Sequence, residues 1–279
     1  MYKILQTGLI WILLLVTASC ANNPSKNEGE YRVRFKTTSG EIIVKLYEET
    51  PAHRDNFIKL VNSGFYDGVI FHRVIKNFMI QAGDPLTKNA KPGEAVGEGE
   101  VNYTIPAEFV YPARYHKRGA LAAARHGNEE NPERNSSGCQ FYIVWGEKLS
   151  EEGLNAEEKK IFAREEEKLF RVKVAAKQEE INRYRSEKNQ EKLDELRDNI
   201  LSEVHHELDS TQIYKFTPQQ RIDYTKQGGT PHLDNEYTVF GEVVKGLDVV
   251  GKISDAGTDE KDRPLRDVKI ISARVIKSK

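Results

Sequence analysis

The stretch FHRVIKNFMIQAGDP, residues 71–85, sets polar groups capable of chemistry into an apolar run. Phe71, Val74, Ile75, Phe78, Met79 and Ile80 are core-forming, whereas His72, Arg73, Lys76 and Gln81 are not. A guanidinium and an amide on such a segment have two uses: they face water, or they serve a reaction at the edge of an apolar groove. In the second case low dielectric strengthens the guanidinium as a fixed hydrogen-bond donor. Other reactive constellations are missing. There is no HExxH and no Cys/His cluster, and His205 and His206 are adjacent, so on a helix they point in different directions. No metal site and no cofactor are expected.

The surrounding elements must position these residues. YRVRFKTTSGEIIVKLY alternates Tyr31, Val33 and Phe35 with charges, turns at Ser39-Gly40, and resumes with Ile42, Val44 and Leu46, which reads as a β-hairpin. In TPAHRDNFIKLVNSGFY, Thr50 can cap, Pro51 suits the first helical position, Phe57, Leu60 and Val61 form one stripe, and Gly64 suits the stop. FHRVI and FMIQAG then read as strands, followed by a Gly/Pro-rich loop from Asp84 to Pro106. Further strands are expected in GALAAAR, QFYIVWG, YTVFGEVV and VKIISARVI, with a short helix in GLDVVGKI. Many short strands with few helices imply a sandwich or barrel.

Residues 150–227 have a different texture. Asn155 with Glu158 offers a capping box, and Phe162, Leu169, Val172 and Ala176 form one seam; Leu193, Leu196, Ile200, Val204 and Leu208 form another. Two helices in an antiparallel hairpin around RSEKNQ follow, then a third helix capped by Thr217 and stopped at Gly228-Gly229.

The 279-residue chain has a formal net charge of −1 and no basic stripe interleaved with aromatics, so nucleic acid is not an expected partner. Its first residues, MYKILQTGLIWILLLVTASC, combine Lys3, an apolar run from Leu9 to Val16, and small residues before Cys20. The run is short of the roughly 20 residues a bilayer core requires and reads as an export signal. Cys20 sits as in the lipobox of bacterial lipoproteins, which makes it the expected lipidation site and membrane anchor. A bridge to Cys139, the other cysteine, is the alternative use of its thiol. ANNPSKNEGE after it reads as a tether.

FHRVIKNFMIQAGDP, GALAAAR, NSSGCQFYIV and LDNEYTVFGEVVKGLDVV resemble, in order and spacing, the blocks of cyclophilin-type peptidyl-prolyl isomerases. The resemblance implies a mainly β fold: a closed eight-stranded antiparallel barrel with capping helices and a groove on its outside, here with an α-helical hairpin inserted. Residues 1–19 would be the lipoprotein signal peptide and 20–30 the lipid-anchored tether. Residues 31–149 and 228–279 would form the two parts of the barrel, and 150–227 the insertion.

By the same resemblance Arg73 and Gln81 are expected to be catalytic. Phe78, Met79, Ala124, Arg125, Gln140, Tyr142, Leu233 and Tyr237 are expected to bind substrate. Arg125 stands where the family usually has asparagine, Tyr142 where it usually has phenylalanine, Tyr237 where animal members have histidine, and His232 where many have tryptophan. The implied partners are proline-containing polypeptides, and the implied role is folding of exported proteins in the bacterial cell envelope, at the periplasmic face of the outer membrane. The alternative is a weakly active or inactive module that uses its helical insertion to hold a protein partner.

Overall fold

The computed structural model describes residues 30–277. Cys20 and the segment expected to be an export signal therefore lie outside the described residues. Strands β1 (Tyr31–Thr37) and β2 (Gly40–Leu46) form the expected hairpin, burying Val33, Phe35, Ile42, Val44 and Leu46. Helix α1 (Pro51–Asn62) follows with Phe57, Leu60 and Val61 inward.

Its cap differs from expectation. Thr50 makes no side-chain capping bond; instead the Glu108 carboxylate, more than fifty residues away, accepts from the backbone N–H groups of Ala52 and His53, each at 3.0 Å. A full negative charge satisfies two orphan donors and opposes the positive helix end, which a hydroxyl does less well.

Strands β3 (Phe71–Ile75) and β4 (Met79–Ala82) form a second hairpin, turned through Asn77 at φ 61°. The Gly/Pro-rich loop contains a single 3₁₀ turn, Pro85–Asn89, and the short strand β5 (Thr104–Ile105), which pairs with β7 (Ser136–Ser137). Two-residue strands are too short to leave a periodic signal in the sequence. β6 (Ala120–Ala123), β8 (Phe141–Val144), β9 (Val239–Lys245) and β10 (Ile270–Lys277) fall on the expected strand segments.

Between β8 and β9 lie four helices, α2 (Glu151–Ala176), α3 (Gln178–Ser186), α4 (Gln190–Thr211) and α5 (Pro218–Lys226). The α2 cap is Ser150, accepting from Gly153 N–H at 3.1 Å, and not Asn155. Glu158 is drawn inward: its carboxylate accepts from the Phe216 N–H, Lys215 and Arg221 at 2.7–3.0 Å. Ile200, Val204 and Leu208 are buried against Phe162, Leu169, Phe170 and Val174. Val172 and Ala176, expected on that seam, are exposed, because Phe170 and Val174, each two residues from Val172 and so on the other side of the helix, carry the contact. α5 carries the expected cap at Thr217, which the Gln220 side chain completes as a capping box. Finally α6 (Leu247–Ser254) precedes β10.

The eight long strands form one antiparallel sheet in the order β10-β1-β2-β9-β6-β8-β4-β3. The outer strands meet across an isolated bridge, Ile70 to Lys269, with backbone hydrogen bonds such as Phe71 N–H to Val268 O at 2.9 Å. The sheet is thus curled, and its two edges are linked by one bridge and a few single bonds where the expected closed barrel would have a continuous ladder. Its concave side holds the aromatic core of Phe35, Phe57, Tyr66, Phe141 and Phe240.

Period-two alternation sorts residues between core and outer face. Leu121 and Ala123, Ile80 and Ala82, and Phe141 and Ile143 face the main core. Ala120 and Ala122, Met79, and Tyr142 and Val144 build a second apolar cluster on the opposite face, with Phe78, Leu233 and Tyr237 packed against it. That cluster is the floor of the site.

Candidate active site

Four strands in register carry the centre of this face. Arg73 on β3 stands opposite Gln81 on β4, Gln81 opposite Tyr142 on β8, and Tyr142 opposite Ala122 on β6. A cavity of about 130 Å³ opens above this row, lined by Arg73, Phe78, Met79, Gln81, Ala124, Arg125, Tyr142, Leu233 and Tyr237. Phe78, Met79, Tyr142 and Leu233 give it apolar walls; Arg73, half exposed, stands at its rim.

The guanidinium is oriented by a chain of amides. Arg73 Nη1 donates to Gln81 Oε1 at 3.4 Å, Gln81 Nε2 donates to Gln140 Oε1 at 2.9 Å, and Gln140 Nε2 donates to the carbonyls of Gly97 and Gly99 at 2.9 and 3.0 Å. Asp262 Oδ2 lies 3.7 Å from Arg73 Nε and counters the charge from the other side. Gln140 is buried and does not line the cavity; it acts one step behind Gln81. Gly83, at φ 112°, makes this possible, because a Cβ there would lie 2.3 Å from the Cys139 carbonyl oxygen and push the Cys139–Gln140 backbone away.

Arg125 lines the cavity, but its donors are already engaged. Nε donates to Glu236 O at 2.9 Å, Nη1 to His126 O at 2.9 Å and Asn128 Oδ1 at 2.8 Å, and Nη2 to the Glu236 carboxylate at 3.3 Å. The guanidinium lies 4.4 Å from the Tyr237 ring centre, so it buttresses that wall as a cation–π partner. Tyr237 in turn meets Tyr142 edge-on, and His232 stacks on Phe78 with ring centres 5.6 Å apart.

The titratable groups nearby are held out of acid–base work. Burial pushes the Tyr142 hydroxyl well above the ordinary tyrosine value, so it stays protonated. Burial likewise lowers His72 to about 4, and neither of its ring nitrogens has a hydrogen-bond partner among the described residues. Cys139 is a free, buried thiol, pushed up to about 12 by burial and then by the Glu100 carboxylate, and is inert as a nucleophile.

A Ser–His–Glu arrangement does exist elsewhere: His53 Nε2 lies 2.9 Å from Ser136 Oγ, and Nδ1 lies 2.7 Å from Glu108 Oε2. Ser136 and His53 are buried, and the adjoining cavity is about 10 Å³, room for one water and no substrate. These bonds fix the end of α1.

Sequence reasoning did not find the groups behind the cavity wall. Asp234, His116 and Tyr224 are buried in one hydrogen-bonded chain that ends on Tyr142 Oη. Asp234 stands in a block quoted for its resemblance, but nothing local marks His116 or Tyr224 as its partners.

Comparisons with known proteins agree with this geometry. The profile of the family described as cyclophilin type peptidyl-prolyl cis-trans isomerase/CLD matches residues 32–275. A relative from Staphylococcus aureus (strain USA300), named as a peptidyl-prolyl cis-trans isomerase, is 29% identical over 263 residues, covering 91% of this chain and 98% of that protein. The peptidyl-prolyl cis-trans isomerase-like 2 of Rhizopus delemar is 29% identical over 238 residues, covering 85% of this chain and 27% of that protein.

A crystal structure of a cyclophilin type peptidyl-prolyl cis-trans isomerase from Cryptosporidium parvum superposes with a TM-score of 0.51 at 20% identity, covering 90% of this chain and 99% of the other. The same Cryptosporidium protein in the presence of the dipeptide Ala-Pro gives 0.50 at 20% identity, covering 88% and 99%. The chain belongs to the cyclophilin-type peptidyl-prolyl cis-trans isomerases.

Proposed function

We propose that the outer-face cavity binds an Xaa-Pro segment and that Arg73 catalyses rotation about its amide bond. The observation that carries this is the convergence of Arg73, held through Gln81 and Gln140, with the apolar walls of Phe78, Met79, Tyr142 and Leu233 on one small cavity. The proposal extends to this chain the class of ligand, a proline dipeptide, named with the Cryptosporidium structure.

Amide rotation is opposed by about 18–20 kcal/mol of lost resonance. As the bond twists, the proline nitrogen regains its lone pair and becomes an acceptor. A guanidinium donor placed against that nitrogen binds the twisted state more strongly than either planar isomer, which is differential stabilisation. The apolar walls take up the pyrrolidine ring, and the dry surroundings strengthen the donor bond. No nucleophile is required, in keeping with the absence of Ser, Cys, His, Asp and Glu from the cavity lining. A protease-free exchange NMR assay on an Xaa-Pro peptide with the mature soluble chain tests it: accelerated exchange is expected. Binding without acceleration would support the alternative of a holding module.

The setting is the bacterial cell envelope, with folding of exported proteins as the role. Support is in the sequence alone: the short apolar run before three small residues and Cys20, then a polar tether. Among the described residues no helix is long and apolar enough to cross a membrane, so attachment would depend on the acyl chains. Cys20→Ala is expected to abolish acyl labelling and to release the chain from sedimenting membranes. Unchanged labelling excludes Cys20 as the lipid site.

A further inference from the structure

The helices between β8 and β9 line no part of the cavity, yet they hold its far wall at two points. Leu233 belongs to a short 3₁₀ turn, Pro231–Leu233, that continues into Asp234. On α5, Tyr224 Oη donates to Asp234 Oδ2 at 2.5 Å. Asp234 Oδ1 accepts from the backbone N–H of His116 at 2.8 Å and faces its Nδ1 at 3.0 Å. With the ring hydrogen on Nδ1 toward the carboxylate, Nε2 accepts from Tyr142 Oη, 2.9 Å away. All four side chains are buried.

The second point is Arg164 on α2. Its Nη1 donates to His232 O at 2.9 Å and its Nη2 to Asp234 O at 3.2 Å, so the carbonyls on both sides of Leu233 are gripped by one guanidinium. Arg164 Nε also lies 3.6 Å from Glu236 Oε1, on the carboxylate that pairs with Arg125 behind Tyr237.

We propose that Tyr224 and Arg164 are positioning residues for the proline pocket, so that a helical segment with no surface in the cavity sets how tightly substrate is held. The inference rests on the pocket assignment made above. Two independent ties act on the same wall. Tyr224, through Asp234 and His116, fixes the ring of Tyr142 in the floor, and Arg164 fixes the backbone that carries Leu233 and the His232 ring stacked on Phe78. A buried hydrogen-bonded chain of this kind has one low-energy arrangement, because any member left unpaired costs free energy.

The effect falls on binding more than on rotation. Leu233 and Tyr142 contact the ring equally in the planar and twisted states, whereas the orientation of Arg73 runs through Gln81 and Gln140 on the other side.

The test measures the Kd and the bound-state exchange rate of an Xaa-Pro peptide separately, by NMR titration and exchange spectroscopy. Tyr224→Phe removes one hydroxyl, and Arg164→Met removes the grip while keeping most of the stem. Each is expected to raise Kd about 3- to 10-fold with the bound-state exchange rate within about twofold, a loss of roughly 0.7–1.4 kcal/mol of binding. Tyr142→Phe cuts the chain at its pocket end, so adding Tyr224→Phe to it should change Kd by less than about twofold.

Unchanged Kd in both single variants, whatever their thermal stability, overturns the proposal, as does full additivity in the Tyr142→Phe background. If Tyr224→Phe does not fold, Arg164→Met decides. A wild-type chain that binds the peptide without accelerating exchange defeats the isomerase reading alone, and the Kd changes still decide this one. A wild-type chain that binds no proline peptide defeats both.

Discussion

Gln140 Oε1 lies 2.9 Å from Gln81 Nε2, and through that bond a buried amide with no surface in the cavity orients the guanidinium at the cavity rim. Gln140 is held in turn by two glycine carbonyls. The direction of the chain is fixed by chemistry: a guanidinium only donates, so Gln81 must present its oxygen to Arg73 and its nitrogen to Gln140.

Arg73→Ala should lower kcat/KM by about 10²- to 10³-fold, the cost of deleting one transition-state donor, some 2.7–4 kcal/mol. Because Arg73 is half exposed and outside the core, the fold should survive. Near-native turnover by a folded variant would refute the catalytic assignment.

Gln140→Leu should lower kcat by about 10-fold, or ~1.4 kcal/mol, with KM little changed, since the guanidinium loses its orientation and not its charge. In an Arg73→Ala background the same substitution should have little further effect on turnover. An additional 10-fold loss there would place Gln140 on a different path.

Arg125→Ala should act on stability. Its partners His126 and Asn128 are exposed and turn to water on removal, but Glu236 is buried and loses a donor at a cost of about 1–3 kcal/mol. Arg134 and Arg164, which also pair with Glu236, keep the loss toward the lower end. Urea denaturation at neutral pH gives the value; an unchanged midpoint would return Arg125 to the substrate-contacting role suggested by its position in the sequence.

His72 should make the fold acid-sensitive. Its folded-state value, about 4, is depressed below the ordinary histidine value by burial, so the unfolded chain binds the proton first as pH falls. Its contribution is complete above about pH 6.5 and is lost progressively down to about 4, by up to roughly 3 kcal/mol. His72→Leu should flatten the stability profile across that window. Parallel profiles for wild type and variant would show that another group carries the acid response.

The sequence by itself determined the eight long strands, the main helices and most of the side chains at the cavity, with Gln140 one step behind it. Alternation at Ala120–Ala123 and Phe141–Val144 assigns each residue to one face of the sheet, because a strand's side chains can point in only two directions. Thr217 marks a helix start, and the spacing of Arg73 and Gln81 around the Asn77 turn puts them opposite each other. These are short-range consequences of backbone geometry, and neighbours along the chain suffice to express them.

Only the tertiary structure decided which distant partner each polar group took. Thr50 is a good local cap, yet Glu108, more than fifty residues away, satisfies that helix end. Arg125 sits at a groove position by sequence, yet Glu236 and the Tyr237 ring engage its guanidinium from behind. Tyr224 and Asp234 are ten residues apart, but their bond matters because His116 and Tyr142 arrive from other elements to complete it. A buried donor or acceptor is stabilised by whichever partner packing brings within hydrogen-bond reach, and that choice is made by the whole fold.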